Sequence, residues 1–361
     1  MKVAVIGTVG VPANYGGFET LAENLLTYKK DKSIEYRIFC SSKHYNKKLS
    51  TYKGATLTYV PLEANGKTAP LYDMYSLCLA LKNCDVILSL GASCSPLLSI
   101  LKPWIRQRVI INIDGIDTDR AKVKGLTRRL LDWIRRLAAK HADVCVADNQ
   151  GIVEHVNKEY GYSSKLIEYG GDNAFKITNP TYLKYKYGLD EKSYSFKVAR
   201  IEAENNIEMI LEAFSKMPNE TLVIVGNWNR SEFGHKMRES YSVYPNILLL
   251  DPIYDPNELN LLRSNCKLYI HGHSVGGTNP SLVEAMNLGL PIIAYDVIFN
   301  RATTENSCEY FSSANELRCK VTSLQQDITR LHDISSTMHK IAKRRYTWEI
   351  IVSKYEKLYR E

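Results

Sequence analysis

Residues 271–296 constrain this chain more than any other stretch. They run His271-Gly272-His273-Ser274-Val275-Gly276-Gly277-Thr278-Asn279-Pro280-Ser281-Leu282-Val283-Glu284-Ala285-Met286, then Asn287-Leu288-Gly289-Leu290-Pro291 and an apolar run ending at Asp296. The preceding run Lys267-Leu268-Tyr269-Ile270 predicts a buried strand. Ser281 is a suitable N-cap for a short helix over 282–288, and Gly289 ends it. Strand, glycine-rich loop and helix N-terminus together present backbone N–H groups to an anion. Glu284 is expected in the first helical turn, where the helix dipole favours a carboxylate that can accept hydrogen bonds from hydroxyls. A phosphate cradle beside a hydroxyl acceptor suits a nucleotide or a nucleotide-sugar.

The rest of the chain repeats the alternation of strand and helix. Short apolar runs at 2–6, 35–40, 56–60, 86–90, 109–113, 144–147 and 166–168 are separated by helical patterns such as 72–82, 95–104 and 127–141. A second series begins at 194–199 and continues through 221–225, 247–249 and 267–270. Alternation of this kind predicts doubly wound parallel sheets, and runs without polar alternation predict strands covered on both faces. At 361 residues two domains are expected. They are placed at 1–175 and 190–345, with a linker in the aperiodic stretch 174–193. A C-terminal helix at 346–361 can cross back onto the first domain. The aromatics of that tail, among them Trp348, Tyr355 and Tyr359, are expected to face a core.

Ligand loops follow strand ends in both halves, where open α/β sheets bind their ligands. In the first half, Gly16 and Gly17 open a helix after a long loop and let backbone approach an anion. A loop after residue 113 carries Asp114, Asp117 and Asp119 with two cations, and Asp114 is the candidate for catalysis or sugar binding. In the second half Arg200 follows a strand end, where a guanidinium can hold a diphosphate in a fork.

Composition narrows the classes. Apolar and charged residues make up 45% and 24%, values of a globular protein. No apolar run reaches the ~20 residues of a membrane span, and the N-terminus reads as a first strand rather than a secretory signal. The eight cysteines form no C-x-x-C pair, which fits reduced, apolar-environment thiols in a cytoplasmic protein. No zinc-type His/Cys spacing occurs, and no metal site is expected. Of the net charge of +8, residues 1–175 hold 24 Lys and Arg against 17 Asp and Glu, or +7. The anionic partner this implies belongs to the first half. Helix 127–141 places Leu130, Leu131, Ile134, Leu137 and Ala138 on one face beside Arg128, Arg129, Arg135, Arg136 and Lys140. A core-facing stripe on a surface helix is one reading; contact with anionic lipid headgroups is the other.

Taken together, these motifs resemble the GT-B glycosyltransferases of family 4, the retaining enzymes that use nucleotide-sugars. Among them the chain looks most like the bacterial rhamnosyltransferases of capsule and exopolysaccharide assembly. The resemblance rests on Gly16-Gly17-Phe18-Glu19-Thr20, Asp114-Gly115, Tyr169-Gly170-Gly171-Asp172, Arg200-Ile201-Glu202 with Asn205-Asn206, His271 to Glu284, and Tyr346-Thr347-Trp348-Glu349. It implies two Rossmann-like domains facing a cleft, with the acceptor on the first and the donor on the second. By position, Gly16 and Gly17 would approach the donor phosphates or the acceptor. Arg200 would hold the diphosphate and Glu284 the ribose. Gly276, Gly277, Thr278 and Asn279 would cradle sugar and phosphate. Phe18, Glu19, Asp172, His271 and His273 are candidate sugar or acceptor contacts.

Two positions depart from the family pattern. Gly276 stands where the first of two glutamates eight residues apart is usual, and Asn205 where a lysine is usual. The resemblance implies transfer of L-rhamnose from dTDP-rhamnose to a lipid-diphosphate-linked saccharide, with no cofactor or metal. The setting would be cytoplasmic, with peripheral contact to an anionic membrane. A catalytically degenerate nucleotide-sugar-binding protein is the main rival. A nicotinamide-dependent oxidoreductase is disfavoured by the absence of G-x-G-x-x-G, and a nucleic-acid role by the modest basic excess.

Overall fold

The computed structural model describes residues 1–13, 16–113, 115 and 125–361. By contact the chain divides into two units, one built from residues up to Tyr169 together with Trp348–Glu361, the other from Gly170–Thr347.

The first unit holds an eight-stranded sheet. Its strands are β1 (Lys2–Ile6), β2 (Glu35–Ser41), β3 (Thr51–Tyr52), β4 (Ala55–Val60), β5 (Val86–Leu90), β6 (Arg108–Asn112), β7 (Val144–Ala147) and β8 (Lys165–Leu166). Their spatial order is β3-β4-β2-β1-β5-β6-β7-β8. All pairings are parallel except β3 with β4. Strand β5 is buried along its whole length, as covering on both faces requires. The chain leaves β1 on one side and returns to β5 on the other, so the sheet's topological switch point lies between them.

The second unit holds a six-stranded, all-parallel sheet of β9 (Tyr194–Val198), β10 (Thr221–Val225), β11 (Ile247–Leu250), β12 (Leu268–His271), β13 (Ile292–Tyr295) and β14 (Glu309–Phe311). Its order, β11-β10-β9-β12-β13-β14, puts the switch point between β9 and β12, where Phe196 lies opposite Tyr269. Crevices at such points are where open α/β sheets receive ligands.

The stretch 174–193, where the lack of a period placed the inter-domain linker, contains the helix Pro180–Tyr187. Asn179 caps it through Tyr182 N and Gly188 ends it in the left-handed region. Leu183 is its buried residue, too little apolar surface to leave a period in the sequence. The tail is three helices, Ala314–Gln326, Ile328–Arg345 and Trp348–Leu358. The last of these belongs to the first unit: Tyr355 accepts from Asn112 Nδ2 at 3.0 Å, and Lys354 pairs with the buried Glu168 at 2.8 Å. Trp348, Tyr355 and Tyr359 are all buried.

Helix Gly125–His141 follows the expected core-facing stripe in part: Ala138 is buried and Leu131, Ile134 and Leu137 are half-buried, while Leu130 is exposed. Its buried residues are Arg135, Ala138 and Ala139. The alanines allow close approach, and Arg135 reaches the carbonyl of Gly115 at 3.3 Å. Leu126, Leu130 and Trp133 are consequently 82%, 53% and 49% exposed. Among the described residues no helix is long and apolar enough to cross a membrane.

Candidate functional site

The opening motif sits on the β9/β12 switch point. Strand β12 ends at His271, and the helix that follows runs Pro280–Asn287, with Asn279 in the N-cap position. It therefore starts earlier than Ser281 suggested. Proline at the first helical position has no N–H to lose and a preset φ, so the chain enters the helix at Pro280. Glu284 is displaced into the second turn, where the dipole has weakened. Other groups hold it. Arg263 Nη1 lies 2.8 Å from Glu284 Oε2, with side chains 4% and 15% exposed, and Asn173 Nδ2 donates to Glu284 Oε1 at 2.7 Å. Each carboxylate oxygen keeps an acceptor site for an incoming hydroxyl. Asp172, half-buried, precedes Asn173 in a segment pressed onto this helix. A Cβ at Gly171 would come within 2.4 Å of the Val283 carbonyl.

The loop between strand and helix is tied down at its start. Asn206 Nδ2 donates to Gly272 O at 2.8 Å, Asn300 Nδ2 to His273 O at 2.9 Å, and Ser274 N and Oγ to Glu204 O at 3.0 and 2.8 Å. Gly276 has φ +113, with open space around its Cβ position. The backbone rather than crowding therefore disfavours, at this position, the glutamate usual in the enzymes the sequence resembles. Gly277 and Thr278 are buried and Asn279 is half-buried, so the loop offers main chain more than side chain.

Arg200 lies just beyond the end of β9 and is exposed. Among the described residues no carboxylate pairs with it. Asn205 is only 2% exposed, and its Nδ2 donates to the Arg200 carbonyl at 2.8 Å. It shapes the turn that presents the guanidinium and supplies no charge. His271, a candidate sugar or acceptor contact, is fully buried. Its ring stacks on His273 at 4.5 Å between centroids, and burial, reinforced by Lys197, pushes its pKa well below the usual imidazole range.

In the first unit Gly16 and Gly17 lie at the β1/β5 switch point. Gly16 has φ +126, and a Cβ there would meet Glu19 Oε2 at 1.9 Å; Gly17 faces the Tyr169 hydroxyl. Glu19, a candidate sugar or acceptor contact, is turned onto the loop that follows β1. It is 8% exposed, and its Oε1 accepts from Thr8 Oγ1 at 2.9 Å and Val9 N at 2.8 Å, bracing the loop. Phe18 is half-buried beside Gly91 at the end of β5. Asp114, Asp117 and Asp119 fall outside the described residues.

Three residues carry no mark in the motifs above. Arg263 closes the helix Pro256–Ser264 and is the partner of Glu284. Lys197, in the middle of β9, is 1% exposed, and burial lowers its pKa to about 7. Asp73, inside the helix Ala69–Asn83 of the first unit, is 6% exposed, and burial raises its carboxyl to about 7. The signal common to them is an ionisable residue within an otherwise apolar run. Among the described residues no cluster of three His, Cys, Asp or Glu side chains could hold a metal ion.

Two Rossmann-like parallel-sheet domains of this kind define the GT-B fold. Over 99% of its length the chain is similar to sucrose-phosphate synthase (tll1590) from Thermosynechococcus elongatus, at 15% identity, TM-score 0.81 and 98% coverage of that chain. It is also similar to Anabaena Alr3699/HepE, solved in complex with UDP, at 15% identity and TM-score 0.77 with 99% of both chains covered. A glycosyltransferase from Rickettsia africae matches at 13% identity and TM-score 0.74, covering 99% of this chain and 97% of that one. Residues 183–346 match the family Glycosyl transferases group 1. Residues 1–172 match a domain of unknown function, DUF1972. No curated protein sequence matches the chain.

Proposed function

We propose that this protein transfers a glycosyl group from a nucleotide-sugar to a hydroxyl acceptor. The observation that carries the reading is the shared position of Arg200 and the 272–279 loop on adjacent strand ends, β9 and β12, within the group 1 domain. An exposed guanidinium beside loop amides and a helix N-terminus suits the charge that grows on a departing nucleoside diphosphate. Glu284, held by Arg263 and Asn173, is suited to accept from ribose hydroxyls. HepE, a protein of the same fold, has been solved with UDP and with UDP-glucose, which supports the donor class.

The donor in this proposal is dTDP-L-rhamnose, the acceptor a lipid-diphosphate-linked saccharide, and the anomeric configuration is retained. These specifics rest on the resemblance of the six motifs to rhamnosyltransferases. Peripheral attachment to an anionic membrane is supported by helix Gly125–His141, which exposes Leu126, Leu130 and Trp133 beside Arg128, Arg129, Arg136 and Lys140. Apolar side chains enter the headgroup boundary while basic ones meet anionic lipid.

A thermal-shift panel of UDP, dTDP, UDP-glucose and dTDP-rhamnose tests the donor. A ligand at ~100 times its dissociation constant stabilises by about 2.7 kcal/mol. Transfer from the stabilising sugar nucleotide to a lipid-linked acceptor is then expected. Stabilisation without transfer or donor hydrolysis would leave a binding protein, and no stabilisation by any of the four would end the reading.

A further inference from the structure

We propose that Lys197 is the second cation of the donor site, an ammonium held beneath the glycine loop that offsets the charge of the donor's diphosphate. It is a positioning residue acting through the loop, not one that touches the donor. The inference rests on the nucleotide-sugar reading above and deepens it.

A diphosphate carries more negative charge than one guanidinium offsets, and position 205 supplies none: Asn205 is buried and bonded to the Arg200 carbonyl. Lys197 lies on β9, three residues before Arg200. A Cβ placed on Gly272 would be 3.0 Å from Lys197 Nζ and 2.4 Å from the Asn205 carbonyl oxygen. The ammonium, the backbone of position 205 and the first glycine of the loop thus meet at one point, on the β9/β12 switch.

Nothing described in the domain explains a charge at that point. Lys197 Nζ is buried and has no hydrogen-bond partner among the described residues. The elements around Gly272 provide none. Strand β12 presents His271, whose two ring nitrogens are also without hydrogen-bond partners. Helix Ile207–Ser215 presents the apolar Ile210. The turn Ala203–Asn205 presents the Asn205 carbonyl, and among the described residues its Glu204 forms no ion pair with the lysine. An isolated buried ammonium is strongly disfavoured, so the unliganded domain holds much of this amine neutral at neutral pH. An anion arriving above the loop favours the charged form. The lone pair of Nζ then takes a proton from solvent, –NH2 becomes –NH3+, and the site gains one positive charge as the diphosphate binds.

The test is calorimetry of the full chain with UDP and with dTDP at pH 8, in two buffers of different ionisation enthalpy. At that pH about nine tenths of an amine titrating near 7 is neutral. The wild type is expected to take up close to one proton per nucleotide bound. Lys197→Met is expected to bind about tenfold more weakly, to take up none, and to melt at a higher temperature than the wild type. Binding by the wild type without proton uptake, or equal uptake by the variant, overturns the inference and leaves the donor reading standing. Failure of both nucleotides to bind the wild type removes both. Should Lys197→Met not fold, the pH profile of the wild type decides. Uptake that grows above pH 7 supports the lysine, and uptake confined below pH 6.5 assigns the proton to a histidine or the phosphate.

Discussion

Arg263 and Glu284 form an ion pair at 2.8 Å with the arginine side chain 4% exposed, and this pair anchors the helix that follows the glycine loop. The arginine Nε has no further hydrogen-bond partner among the described residues, so the carboxylate is the main compensation for a buried charge. Breaking such a pair by removing one partner costs about 3–5 kcal/mol. Arg263→Met is expected to retain more stability than Glu284→Ala, because the latter leaves the guanidinium buried and alone. Urea denaturation of the two variants gives the order directly.

Arg200 should behave in the opposite way. It is exposed and forms no ion pair among the described residues, so Arg200→Ala is expected to melt within a degree or two of the wild type. Its transfer rate should fall by a factor on the order of 10² or more, the scale for losing one preorganised donor to a developing anion. Lysine at this position keeps the charge and loses the fork, and should recover only part of the rate. A wild-type kcat/KM in Arg200→Ala would refute the assignment.

Gly276 offers a test of backbone alone. Its φ of +113 is open to glycine, and no atom lies within 4 Å of the place a Cβ would occupy. Gly276→Ala therefore costs strain without a clash, of order 1–3 kcal/mol. The loop can relieve that strain by moving, so nucleotide affinity should fall more than melting temperature. Gly276→Glu, which places there the residue usual in the glycosyltransferases the sequence resembles, is expected to weaken binding for the same reason. Titration calorimetry with UDP and dTDP checks both.

Asp73 makes the first unit sensitive to pH. Burial raises its carboxyl to about 7, above the ordinary value near 4. Between those values the unfolded chain has lost a proton that the folded one keeps. The protonated carboxyl's contribution to stability is thus complete below about pH 4 and is lost as pH rises through about 7. Asp73→Asn removes this dependence. The variant and the wild type should be closest in stability near pH 4, with the variant ahead at pH 8 by a few kcal/mol, since each tenfold change in a protonation equilibrium is worth about 1.4 kcal/mol. Parallel stability curves across that range would show that Asp73 does not titrate as its burial implies.

Helix Gly125–His141 supplies a test of membrane contact. Replacing Leu126, Leu130 and Trp133 by serine removes side chains that bury little within the domain. The melting temperature should stay put or rise slightly. Co-sedimentation with vesicles containing anionic lipid should be lost, and the wild-type interaction should weaken with salt. Equal sedimentation of the variant would remove the proposal.

The alternating fold is legible from residue order because it is written in local chemistry. Apolar runs such as 86–90 and 221–225 have no polar alternation, which fits strands covered on both faces, and glycine-rich loops punctuate their ends. Helix Pro180–Tyr187 and the true start of the helix at Pro280 are illegible for the converse reason: one presents little apolar surface, the other is set by a proline that can itself begin a helix.

What the sequence determined by itself was the class of fold and the positions of the glycine-rich loops at strand ends, because strand and helix periodicity and glycine placement act over a few residues. Only the tertiary structure decided which charges are active partners. It paired Glu284 with Arg263, turned Glu19 inward onto Thr8 and Val9, and buried Lys197 beneath Gly272. Those outcomes depend on burial and on neighbours distant along the chain, and the cost of an unpaired charge is set by surroundings that exist only once β9 and β12 lie side by side.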